Sequence, residues 1–124
     1  MNKKELKHYR ELLILELEKI ADSQRRLERA ARESSQREAS GDLSAYSIHS
    51  ADLGSDAMER EKDLLLAARG SRTARLIEDA LRKIDEGTYG ACDECGKPIA
   101  PKRLDLLPYA SLCARCQRDA ERTS

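Results

Sequence analysis

The chain contains no tryptophan and no phenylalanine, and it has only four tyrosines among 124 residues. At this length a single core is already marginal, so the missing aromatic volume excludes a large aromatic-centred globule and leaves one modest domain or two small ones. A surplus of charge of either sign is missing as well: Lys plus Arg and Asp plus Glu number 23 each. Nucleic-acid wrapping by general electrostatics normally leaves a basic domain or a one-sided basic stripe, and the balance argues against it. No apolar run approaches the roughly 20 residues needed to span a bilayer. The segment Met1-Asn2-Lys3-Lys4-Glu5-Leu6-Lys7 has no apolar core of a signal peptide,. A cytoplasmic protein without a membrane anchor is therefore expected. Proline and glycine are also sparse, and neither occurs between Lys3 and Arg32.

Charge itself is plentiful, at 37% of residues, a composition that favours long exposed helices. From Lys3 to about Arg32, Leu6, Leu13, Ile20 and Leu27 recur every seven residues, while Tyr9, Leu12 and Leu17 widen the stripe. This spacing predicts an amphipathic helix of about 45 Å. So narrow an apolar face needs a partner helix. Between Glu33 and Ser55 small polar residues dissolve the pattern, as in Ser34-Ser35-Gln36 and Ser40-Gly41-Asp42, and predict a long loop in which Leu43, Tyr46 and Ile48 can pack back,. A second helix is expected from between Ala51 and Asp56 to about Glu86, with Asp52 or Ser55 as cap and Met58, Leu65, Ala68, Ala74, Ile77, Leu81 and Ile84 as its buried stripe,. Gly70 interrupts it at about 1 kcal/mol relative to alanine and marks a site for a local kink. Two helices of matched length predict an antiparallel helical hairpin or short coiled coil over residues 1–86, with its loop and tip at about 34–54.

All four cysteines fall beyond the second helix: Cys92-Asp93-Glu94-Cys95, then Cys113-Ala114-Arg115-Cys116. Two Cys-x-x-Cys knuckles at this separation suit one tetrahedral zinc ion held by four thiolates, and Gly90, Gly96 and Pro98 supply the turn chemistry of the first knuckle. Disulfides or a redox-active Cys-x-x-Cys pair are the alternatives, and a reducing compartment disfavours disulfides. A closed four-sulfur shell is structural rather than catalytic. Residues 87–124 are thus expected to form a small four-cysteine zinc ribbon. Lys97-Pro98-Ile99 and Arg103 to Leu107 suit small strands or turns, and Ala114 to about Arg122 a short C-terminal helix. Lys97, Lys102, Arg103, Arg115 and Arg118 surround the thiolates, either neutralising the doubly negative centre or gripping a partner.

The wording Gly87-Thr-Tyr-Gly-Ala-Cys92-Asp-Glu-Cys95-Gly-Lys-Pro-Ile99, with Arg103-Leu104, Leu107-Pro108 and Leu112-Cys113-Ala-Arg-Cys116-Gln117, resembles the DksA/TraR family of bacterial transcription factors. A long helix bearing Ala51-Asp52-Leu53-Gly54-Ser55 and Glu59-Arg60-Glu61-Lys62-Asp63 before this ribbon narrows the match. The resemblance implies a factor that binds RNA polymerase, places the hairpin tip in the secondary channel and holds the rim with its zinc part, often alongside the alarmone ppGpp. It puts His49 and Asp52 at the polymerase-facing tip; Asp56 can extend the acidic tip, and Arg103 and Arg115, beside the thiolates, are candidate rim contacts. Family members carry two acidic residues three apart at the tip; here those positions are His49 and Asp52, so only one acid is kept. Basic alarmone contacts of the family fall on Leu76, Leu107 and Gln117, which implies weak or absent ppGpp dependence.

The expected function is a monomeric, non-enzymatic regulator of transcription initiation, with RNA polymerase as partner and no direct sequence-specific DNA binding. A zinc-ribbon nucleic-acid binder and a coiled-coil adaptor are the alternatives. Thiol-disulfide exchange is the one enzymatic chemistry the cysteines suggest, and metal-bound thiolates serve it poorly.

Overall fold

The computed structural model describes residues 1–39 and 50–123, with side chains described for 1–36 and 56–123. Four helices follow one another: α1 (Lys3–Ala39), α2 (Ser50–Glu86), α3 (Pro101–Leu106) and α4 (Ala114–Thr123). The protein is mainly helical, with α1 and α2 packed as a hairpin ahead of a small cysteine-bearing segment. Both long helices extend into the stretch whose polar residues predict a loop. Ser34 to Ala39 continue α1 and Ser50 to Gly54 begin α2. Serine and glycine are poor helix formers, but propensity is a weak prior that packing against a partner helix overrides.

The chain divides into two compact units, Met1–Glu18 with Arg72–Ser124, and Lys19–Ser71. In the first, Asn2 caps α1 by accepting the Glu5 amide at 2.8 Å,. Leu13 and Ile77 are fully enclosed, Ala80 and Ile84 are buried beside them, and Arg10 pairs with Asp85. The end of α2 is set by Gly87, whose φ of 79° lets the chain turn back so that the Thr88 amide reaches the Lys83 carbonyl at 2.9 Å,. Pro101 opens α3, its missing N–H harmless at that position, and Leu104 of the same helix is completely buried,. The expected strand or turn over Arg103 to Leu107 is therefore a helix; the extended elements reduce to one bridge between Ala91 and Pro98 among the described residues.

In the second unit the inward line of α1 contains Ile20 and Leu27, as the heptad predicts. On α2 the expected stripe departs from the structure. Met58 and Leu65 are 72% and 68% exposed, and Ala68 is exposed too. The partly covered residues are Asp63, Ala67 and Gly70, which extend backwards the three-four spacing of Ala74, Ile77, Leu81 and Ile84,. Large apolar residues point to the wrong register, because here the inward face is made of small ones. Helix α2 runs through Gly70, and the missing side chain lets α1 come close: a Cβ there would stand 3.0 Å from the Gln24 amide nitrogen and 3.5 Å from Ile20. Gln24 uses that space to donate to the Ala67 carbonyl at 2.9 Å and to the Ser71 hydroxyl at 3.3 Å.

Candidate metal centre

Local geometry builds each knuckle. Between Ala91 and Pro98 the chain turns back, with the Cys92 amide donating to the Lys97 carbonyl at 2.9 Å and the Ile99 amide to the Gly90 carbonyl at 2.7 Å. Gly90 and Gly96 take φ angles of 91° and 73°, where a side chain would be strained,. The second knuckle leans on a helix instead. Cys113 precedes α4 and Cys116 lies in its first turn, with the Gln117 amide bonded to the Cys113 carbonyl at 2.9 Å. The two knuckles are tied by the Asp93 amide, which donates to the Ser111 carbonyl at 2.8 Å.

This brings the four sulfurs together, all within 4.8 Å of one another. Cys95 Sγ and Cys113 Sγ are 3.9 Å apart, close to the roughly 3.8 Å edge of a tetrahedron with zinc–sulfur bonds of about 2.3 Å. The donor set fits structural zinc, and the four cysteines would hold it in a closed shell. Backbone amides point at the sulfurs: Cys113 N to Cys92 Sγ at 3.3 Å and Cys116 N to Cys113 Sγ at 3.5 Å. Hydrogen bonds from the backbone at Cys95 and Cys113 bring the Cys92 thiol down to about 6, against burial that opposes it. Cys113 is also lowered, chiefly by the Cys116 amide, whereas the hydrogen bond of Cys116 to the Cys113 sulfur, together with burial, pushes Cys116 up to about 12. Thiolate character is thus favoured by the scaffold at two of the four ligands, and the ion's charge supplies the rest.

A small core supports the centre. Tyr9 of α1 is buried with Cys92, Ile99 and Leu104. Its ring lies 5.5 Å from that of Tyr89, and its hydroxyl donates to Asp105 at 2.8 Å. Tyr89 in turn donates to the Pro108 carbonyl at 2.8 Å. Lys83 of α2 is bonded to Asp93 at 2.7 Å and clamps the first knuckle from outside. The heptad assigns Tyr9 to a buried stripe, but nothing in that pattern signals its bond to a residue 96 positions away.

The other residues singled out from the sequence are dispersed. Arg103 is half-buried and donates through Nε to the Leu112 carbonyl at 2.9 Å, so part of its guanidinium serves the ribbon; Arg115 is exposed. Lys97, Lys102 and Arg118 are exposed as well. Leu76, Leu107 and Gln117 line one open cleft of about 360 Å³ with Arg103 and Tyr109. Asp56 is exposed on α2. Asp52 is the third residue of α2 and therefore lies inside the helix rather than at its cap; its side chain, like His49 and the packing assigned to Leu43, Tyr46 and Ile48, lies outside the described residues.

Residues 87–122 match the prokaryotic DksA/TraR C4-type zinc finger. The uncharacterized protein YteA of Bacillus subtilis is 43% identical over 74 residues, covering 60% of this chain and 31% of the relative. The RNA polymerase-binding transcription factor DksA of Caulobacter vibrioides is 30% identical over 122 residues, 98% of this chain and 80% of its own. The structure of transcription factor DksA2 from Pseudomonas aeruginosa superimposes with a TM-score of 0.66 at 28% identity, covering 99% of this chain and 88% of that one. This chain spans about a third of the length of YteA but most of the length of these two DksA proteins. With its four-sulfur centre behind a helical hairpin, and with a relative that matches 98% of this chain, the protein belongs to the DksA/TraR family of C4 zinc-finger proteins.

Proposed function

We propose that this protein is a transcription regulator that binds RNA polymerase, carrying the connection between α1 and α2 into the secondary channel while the zinc ribbon holds the rim. The observation that carries the reading is the match, over 98% of this chain, to a relative named as an RNA polymerase-binding factor, which includes both long helices as well as the zinc finger. Equal numbers of acidic and basic residues suit a protein partner better than a nucleic acid,. No described helix is long and apolar enough to cross a membrane. The protein acts as a cytoplasmic monomer, by binding rather than by enzymatic turnover, with Asp52, Asp56 and His49 towards the enzyme and Arg103 and Arg115 at the rim. Leu76, Leu107 and Gln117 leave the cleft they share with Arg103 without a cluster of basic groups. Its action is therefore independent of ppGpp at that place.

A binding assay of the zinc-loaded protein against core RNA polymerase, with a competitor that occupies the secondary channel, tests the reading. Displaceable binding is expected. Asp52→Asn is expected to weaken the effect on transcription while leaving binding intact. Absence of binding at micromolar concentration would remove the polymerase as partner.

A further inference from the structure

A chain this poor in large apolar residues nevertheless exposes three consecutive leucines. Leu64, Leu65 and Leu66 of α2 are 71%, 68% and 42% exposed. Successive helical residues are turned by about 100° and rise about 1.5 Å, so the three sweep about 200° around the helix within about 3 Å of its length. That is a collar at one height. A helix laid alongside would need apolar residues three, four and seven positions apart. From Leu64 to Leu66 half of those positions are charged, including Glu59, Lys62, Arg69 and Arg72, and the rest are small or polar, with Met58 as the one large apolar exception among the described residues.

The same height on α1 has the opposite character. Gln24 reaches the Ala67 carbonyl and the Ser71 hydroxyl, which places Leu64 to Leu66 opposite the turn that follows Gln24 in the antiparallel partner. Arg25, Arg26 and Arg29 are exposed there together with one acid, Glu28, and Arg25 is paired with Asp22, which leaves the turn with a net positive charge. The girdle of the hairpin is apolar on the α2 side and cationic on the α1 side.

We infer that Leu64, Leu65 and Leu66 form a grip zone enclosed by the wall of a protein channel, apolar where it meets α2 and lined with carboxylates where it meets α1. This rests on the polymerase reading and specifies where along the hairpin the enzyme closes around it. A surrounding wall covers residues that face different ways at one height, and exposed apolar area of this kind on a small protein marks an interaction surface.

The test uses full-length zinc-loaded protein, core RNA polymerase and the single variants Leu64→Gln and Leu65→Gln. Glutamine has nearly the helix propensity of leucine, and unchanged far-UV circular dichroism and melting will show that the fold is retained. Leu64→Ala and Leu65→Ala carry the same prediction where glutamine disturbs packing. Each substitution is expected to weaken binding at least fivefold although the two side chains point about 100° apart. Arg26→Gln with Arg29→Gln is expected to flatten the salt dependence of binding. Loss from only one leucine would mean a partner lying along one flank and would overturn the collar. Wild-type affinity in both variants would overturn it too, as would sedimentation showing a wild-type dimer that the variants abolish. Failure of the wild type itself to bind would instead remove the reading beneath it, and the proposal with it.

Discussion

Replacing Tyr9 separates what the zinc ribbon draws from α1. The side chain is 6% exposed, packs with Cys92, Ile99 and Leu104, and ends on Asp105 at 2.8 Å. Tyr9→Ala removes a buried ring and leaves a cavity, a loss of about 3–5 kcal/mol by analogy with other large aromatic truncations. Against a total stability on the order of 5–15 kcal/mol this is a large share. Tyr9→Phe keeps the ring and removes only the hydroxyl. Because Asp105 is exposed and regains water, that change should cost about 1 kcal/mol. Urea unfolding followed by far-UV circular dichroism gives the stability difference, and transfer of zinc to a chromophoric chelator reports on the ribbon. Alanine is expected to lower the midpoint strongly and to speed zinc release; phenylalanine should do little of either. A Tyr9→Ala protein that releases zinc at the wild-type rate would refute the claim that α1 completes the ribbon core. Phenylalanine as damaging as alanine would show that the hydroxyl, not the ring, carries the effect. Tyr9 also sets an alkaline limit. Burial, then the hydrogen bond and charge of Asp105, push its hydroxyl up from 10 to about 12. The folded state thus holds this proton more tightly than the unfolded chain does, so its stabilisation is intact below pH 10 and is lost as pH rises towards 12,. Tyr9→Phe should make that fall shallower.

Two further changes probe the metal and the hairpin. Cys113→Ser removes one ligand and the sulfur that accepts the Cys116 amide; zinc binding should be lost, with much of the helical dichroism kept, and an unchanged thermal transition would contradict a structural metal. Gly70→Ala gains about 1 kcal/mol of helix propensity but pushes Gln24 from its bond to Ala67, a loss of similar size. The single variant should be near neutral, and in a Gln24→Ala background the same change should stabilise by about 1 kcal/mol. Strict additivity of the pair would show that the contact at Gly70 is without energetic weight.

The stretches most legible from sequence are those where one residue type carries the geometry. Cysteine spacing identifies the metal centre because a tetrahedral ion accepts few arrangements, and leucines every seven residues in α1 identify its inward face because the partner must lie there. In α2 the same logic misleads. Its inward face in the second unit is Asp63, Ala67 and Gly70, chosen for closeness rather than hydrophobicity, while Met58 and Leu65 face outward. Ser34 and Ser35 read as loop because they lack an apolar partner in sequence, yet they belong to α1. Bonds between separate elements, such as Tyr9 to Asp105 and Lys83 to Asp93, leave no periodic pattern in the sequence.

The bond between Tyr9 and Asp105 also has a meaning in time. Their 96-residue separation means that, at about 5–20 residues synthesised per second, Tyr9 is added to the chain roughly 5–20 s before its acceptor exists. The α2 partner of α1 is made earlier, since Asp85, which pairs with Arg10, is only 75 residues behind it. The aromatic ring must wait for the ribbon, and the ribbon closes only when Cys116, the last ligand, has been made. The complete four-sulfur set therefore exists only once nearly the whole chain has been made, so the closed shell that holds zinc is among the last features that synthesis allows.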